Sequence, residues 1–122
     1  MARTYAVQAK STDTFGRVMC SARDQHLVAD GPVHNGCPGE AIGPAELFLS
    51  GVAACGVELV QSLAREHALP LKAVTVSIDG VLDPDRRARP DVALFSSVAL
   101  RFRLGGVDQH QAEELVERFR GR

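Results

Sequence analysis

With no tryptophan, one tyrosine and five phenylalanines, the 122-residue chain has little aromatic surface and offers no platform on which nucleic-acid bases could stack. An excess of one charge is missing too. Fourteen Lys and Arg stand against fifteen Asp and Glu, for a formal net charge of −1, so there is no electrostatic footprint for DNA, RNA or an anionic membrane. Cysteine is sparse and odd in number: Cys20, Cys37 and Cys55 are irregularly spaced, unlike a secreted disulfide framework, and any that matter act as thiols. The start, MARTYAVQAKSTDTFGR, lacks the charged-then-apolar order of a secretory signal, and the longest apolar run is broken by Ser50 and closed by Glu58. A cytoplasmic protein is expected. Neither a phosphate-cradling glycine motif nor a Ser-His-Asp signature occurs. His26, Asp30, His34 and Cys37 fall close together but lack the paired knuckles of a zinc site, so no metal and no other cofactor is expected.

What is present is 45% hydrophobic content, enough for one globular domain over residues 1–122 to bury a core unaided. TYAVQA (4–9), GRVMCSAR (16–23) and HLVAD (26–30) predict three strands, the second with Val18, Cys20 and Ala22 facing inward. GPVHNGCPGEAIGP, with four Gly and three Pro, predicts a loop. Pro44 suits a first helical position and Pro70 cannot continue a helix, which predicts one long helix from Pro44 to Ala68. VTVSID (74–79) and VALRFRL (98–104) alternate as half-buried strands, with Val74, Val76 and Ile78 on one and Val98, Leu100, Phe102 and Leu104 on the other facing inward. The polar stretch LDPDRRARPD (82–91) joins them. Asp108 and Gln111 form a capping pair ahead of a short helix whose stripe is Ala112, Leu115, Val116 and Phe119. The order β-β-β-α-β-β-α predicts an α+β fold with mainly antiparallel pairing.

The long helix has almost no polar back, because only Ser50 interrupts Leu47 to Val57. One small sheet cannot cover all its sides, so a homodimer with this helix near its centre is expected. Gly51 and Gly56, each about 1 kcal/mol worse than Ala in a helix, fit close backbone approach there. Cys55 lies in this setting and has two readings. It is either a small buried hydrophobe or a reactive thiolate, and the second requires a nearby cation, for which Arg17, Arg23, Arg101 and Arg103 are the candidates.

The run GPAELFLSGVAACGVELV, preceded by HLVADGP and followed by LPLKAVTVSIDGVLDP, resembles the OsmC/Ohr family of osmotically inducible and organic-hydroperoxide-resistance proteins. The resemblance spans most of the chain and is strongest from His26 to Asp83. It implies antiparallel sheets wrapped around a long central helix in an intertwined homodimer with active sites at the interface. It also implies a thiol-dependent peroxidase of oxidative or osmotic stress defence. Cys55 matches the nucleophile that attacks an organic hydroperoxide, and a second cysteine then forms a disulfide that a dithiol reductant reopens.

The pattern departs from the family at three places. The hydroperoxide-resistance branch has, ten positions before the cysteine, a glutamate that pairs with the catalytic arginine; here that position is Ala45. The acid falls one place later, at Glu46, about 100° round the helix, as in the OsmC-like branch. No cysteine follows the start of the last helix, so either the chain continues past Arg122, or Cys37 is the resolving thiol, or no peroxidase cycle exists. No motif marks the arginine, and Arg23 is taken for it. The expected site is therefore Cys55, Arg23, Glu46 and Cys37. The rival reading is a non-catalytic protein that binds a small apolar molecule at the dimer interface.

Overall fold

A computed structural model of the chain describes residues 2–83, 95 and 97–121. These fall into two compact units, Met1–Phe48 and Leu49–Arg122, with the division inside one continuous helix. The predicted polar connection 82–91 lies outside the described residues from position 84 onward.

In the first unit β1 (Gln8–Ser11), β2 (Arg17–Ala22) and β3 (Gln25–Asp30) form an antiparallel sheet in that order. Arg23 and Asp24 alone connect β2 to β3, and Arg23 takes a left-handed φ of 57°, as tight hairpin turns require of a central residue. This turn explains why the first strand lies later than Thr4–Ala9, where alternation placed it. In the register Gln8↔Ser21, residues before Val7 would run past the turn and have no ladder partner, and Tyr5 is 84% exposed. Burial on β2 does not alternate as predicted either. Cys20 is half-buried, but so are Arg17 and Ser21 on the opposite face, each engaged by a polar partner. Beyond β3, a single 3₁₀ turn, η1 (Val33–Asn35), interrupts the predicted loop.

The second unit is built on the greater part of α1 (Pro44–Glu66), with β4 (Ala73–Val81), β5 (Ser97–Gly105) and α2 (Gln109–Arg120). β4 and β5 pair antiparallel with Val74, Val76 and Ile78 opposite Leu104, Phe102 and Leu100, as alternation predicts. Val98 is the exception: it stands opposite Gly80, which offers no side chain, and is 40% exposed. Val60, Leu63, Ala64 and Leu115 form the buried centre, and Phe102 and Phe119 pack on it edge-to-face with ring centroids 5.1 Å apart. Fully burying a Val or Leu side chain contributes about 1.5–3 kcal/mol, so Val60 and Leu115 anchor the two helices on the sheet. α2 opens with the expected capping box, Asp108 accepting from the Gln111 N–H at 2.8 Å and Gln111 Oε1 from the Asp108 N–H at 3.1 Å.

α1 ends two residues before the predicted Ala68. Leu69 donates to the Ala64 carbonyl at 2.8 Å and Ala68 to the Arg65 carbonyl at 3.2 Å, the pattern of a Schellman stop. The left-handed position of that motif, normally glycine, is occupied by Ala68 at φ 53°. Ala68→Gly should therefore stabilise the protein by up to about 1 kcal/mol, read as a higher urea midpoint. A midpoint that falls would show that the alanine is not strained there.

Candidate functional site

Arg17 opens β2 and Asp30 closes β3, and the two-residue turn between the strands sets them directly opposite each other. Arg17 Nε donates to Asp30 Oδ1 at 2.8 Å and Nη2 to Oδ2 at 2.8 Å, a two-pronged pair with the Asp30 side chain fully buried. Asp30 Oδ2 also accepts from the backbone N–H groups of Glu40 at 2.9 Å and Ala41 at 2.8 Å. A buried carboxylate is tolerable only when so supplied with donors. The Arg17 hydrogen bonds, seconded by the Ala41 and Glu40 amides, outweigh desolvation and hold the Asp30 carboxyl well below the usual range, while the same partners keep Arg17 charged. The Arg17 guanidinium also reaches the exposed Glu40 carboxylate at 2.9 Å.

Around this pair the structure gathers two of the expected site residues. The Cys37 sulfur occupies a slot between Gly16 and Gly31, where a methyl group on either glycine would collide with it. Those glycines adjoin Arg17 and Asp30 in sequence, and the Gly31 N–H donates to the Gly16 carbonyl at 2.8 Å, closing the slot. Glu46 Oε1 accepts from the Gly43 N–H at 2.8 Å, so its carboxylate serves the start of α1 as the acidic half of a capping box does. Arg23 stands exposed at the hairpin turn and forms no ion pair among the described residues.

Cys55 belongs to the other unit. Its residue is exposed in the single chain, not buried, and so are Gly51, Ala54 and Glu58 along the same stretch of α1. The opposite side is the packed one: Gly56 is buried, and a methyl group there would touch Phe102 and Val76 at 3.6 Å. A methyl group at Gly51 would meet nothing within 4 Å and one at Gly56 would make only ordinary contacts, so within the chain neither glycine marks the expected close backbone approach. α1 is long and apolar enough, by length and composition, to cross a membrane, and only 22% of its most apolar stretch is buried by the chain. Of the other candidate cations, Arg101 pairs with Asp79 at 3.0 Å on the outer face of the β4–β5 ladder.

His26 Nδ1 lies 2.8 Å from Ser21 Oγ. Among the described residues, no group of three or more His, Cys, Asp or Glu is placed to hold a metal ion. Sequence reasoning considered Asp30 only as a metal ligand and overlooked its role as the partner of Arg17. The signal was available in the tight turn, since a two-residue connection after Ala22 fixes the register that brings Arg17 and Asp30 together.

A family model described as OsmC-like protein matches residues 37–122. Among solved structures, an OsmC like protein from Mycoplasma pneumoniae is similar with a TM-score of 0.78 at 15% identity, over 96% of this chain and 80% of that one. The organic hydroperoxide resistance protein OsmC of Legionella pneumophila is 26% identical with a TM-score of 0.68, over 96% and 82% of the two chains. The organic hydroperoxide resistance protein OhrB of Bacillus subtilis gives a TM-score of 0.59 at 20% identity, over 94% and 82%. No curated protein matches the sequence.

The Asp30 carboxyl has a lower pKa folded than unfolded, so what it contributes to stability is present in full above the unfolded value of about 4 and is lost as pH falls toward the folded value. The urea midpoint of the wild type should thus fall more steeply below about pH 5 than that of Asp30→Asn, which should already be less stable at neutral pH. Parallel curves would mean that the carboxylate is not held by Arg17.

Proposed function

The chain belongs to the OsmC-like protein family, and from that premise we propose that it is a thiol-dependent peroxidase acting on organic hydroperoxides, with Cys55 as the nucleophile. The observation that carries this reading is the presentation of the Cys55 thiol on the uncovered side of an apolar helix. Resemblance to the Legionella protein named for organic hydroperoxide resistance supports the substrate class. The Cys55 thiolate attacks the outer oxygen of R–O–O–H; the O–O bond breaks, sulfur becomes sulfenic acid and the alkoxide leaves as the alcohol after taking a proton. Attack by a second thiol on the sulfenic acid forms a disulfide and releases water, and a dithiol reductant restores both thiols.

In this proposal the second thiol is Cys37. Of the candidate arginines, Arg17 is held by a buried carboxylate and Arg23 stands exposed at a turn, and the variants below decide which of them serves the thiolate. Glu46 acts by fixing the start of α1. The homodimer follows from the uncovered side of the same helix, which a second copy would bury, and a reducing cytoplasm suits the thiol cycle.

Cys55→Ser should abolish consumption of cumene hydroperoxide while leaving the dimer intact on size-exclusion chromatography. Equal turnover by that variant would overturn the role of Cys55, and no consumption by either protein would favour the non-catalytic binding protein, a reading to which Ala45 in place of the glutamate lends support. Arg17→Met should slow peroxide consumption on the order of 100-fold, as loss of a preorganised charge donor does, with Arg23→Met at the wild-type rate. The reverse pattern would return the role to Arg23.

A further inference from the structure

Glu58 closes the apolar run of α1 and stands one turn after Cys55, on the side of the helix that its own chain leaves uncovered. Side chains three apart on a helix are neighbours, with Cβ atoms about 5–6 Å from each other, and a helical side chain leans back over the turn before it. The turn before Glu58 is the one that carries Cys55. Ser62, one turn further on, donates from Oγ to Glu58 Oε1 at 3.4 Å, and Glu58 Oε2 has no partner among the described residues.

No cation of α1 offsets this charge beside the thiol. Arg65 is the one Lys, Arg or His in the helix, ten positions after Cys55 and so about 15 Å further along the axis. An uncompensated carboxylate next to a nucleophile sorts incoming molecules by charge. Even in water, two like charges about 6 Å apart repel enough to slow an encounter about threefold, and the effect grows where water is excluded. The Cys55–Glu58 spacing is set within one helix, so a second copy laid over this side leaves it in place and strengthens the repulsion by displacing water.

We propose that Glu58 determines which molecules reach the Cys55 thiol, turning away anions and admitting neutral ones. Resting on the peroxidase reading, this makes the substrates neutral alkyl hydroperoxides rather than hydroperoxides with a carboxylate close to the peroxide group.

The first test needs no peroxidase activity. The intact wild-type protein and Glu58→Gln, whose amide oxygen can still accept from Ser62, are alkylated with iodoacetate or with iodoacetamide, reagents that differ by one charge. Each cysteine is followed by peptide mass spectrometry. A change in the nucleophilicity of the thiol acts on both reagents and cancels in the ratio of their rates, so a merely structural role for Glu58 would not move that ratio. The iodoacetate-to-iodoacetamide ratio at Cys55 should rise about threefold in Glu58→Gln, with the ratios at Cys20 and Cys37 unchanged. Added salt should shrink the difference between the two proteins. If Glu58→Gln does not fold, Glu58→Ser at the same exposed position replaces it. An unchanged ratio, an equal rise at all three cysteines, or a Cys55 that reacts with neither reagent would overturn the proposal. Cumene hydroperoxide and its ring 4-carboxylate then test the substrate class: Glu58→Gln should lower the wild-type preference for the neutral compound about threefold. An equal preference in the two proteins would overturn the role of Glu58 in substrate choice. Consumption of neither compound, with the alkylation shift intact, would end the peroxidase reading and still support the exclusion of anions by Glu58.

Discussion

An apolar helix has to be covered, and the arrangement of the second unit follows from that requirement. α1 carries apolar or small residues on nearly every side between Leu47 and Val57, and its own chain covers one side only. That side is where Gly56 faces Phe102 and Val76 and where Val60, Leu63 and Ala64 meet Leu115. β4 and β5 carry apolar residues at alternate positions because they form the floor for this helix. The uncovered side bears Cys55, whose residue is exposed in the single chain.

In the first unit a buried carboxylate has the organising role. Asp30, at the end of β3, accepts from Arg17 at the start of β2 and from the Glu40 and Ala41 amides of the returning loop, linking all three through one group. A hydrophobic pair could fill the same space, but it could not dictate which backbone amides turn inward, and here those amides set the path of the chain toward Pro44. Cys37 is enclosed by the same closure, between glycines that adjoin the two members of the ion pair.

Much of this was legible in the sequence, and the parts that were not share a cause. The β4 and β5 alternation, the α2 cap at Asp108 and the start of α1 at Pro44 are local signals, and the structure follows them. The first strand was misplaced because Tyr5 and Val7 look like strand residues, whereas pairing depends on where β2 stops. Pro70 alone points to Ala68 as the end of α1, and the earlier stop goes unsignalled because an alanine takes the left-handed position where glycine is the rule. For the site, the chain marks Cys55 and its apolar helix as candidates. The Arg17–Asp30 pairing is legible only through the register of a tight turn, since nothing in composition or local pattern links the two residues.

The two acids that hold Arg17 lie in different surroundings: the Asp30 side chain is fully buried, and that of Glu40 is 77% exposed. Mobile ions reach the outer contact and not the inner one, since salt weakens solvent-exposed ion pairs and acts far less on buried ones. Rising salt therefore loosens the Glu40 tether while the Asp30 tether holds. The guanidinium stays anchored at its Nε edge and is freed on its outer side, so the ionic medium sets how much of the arginine is available to another anion without altering the fold beneath it.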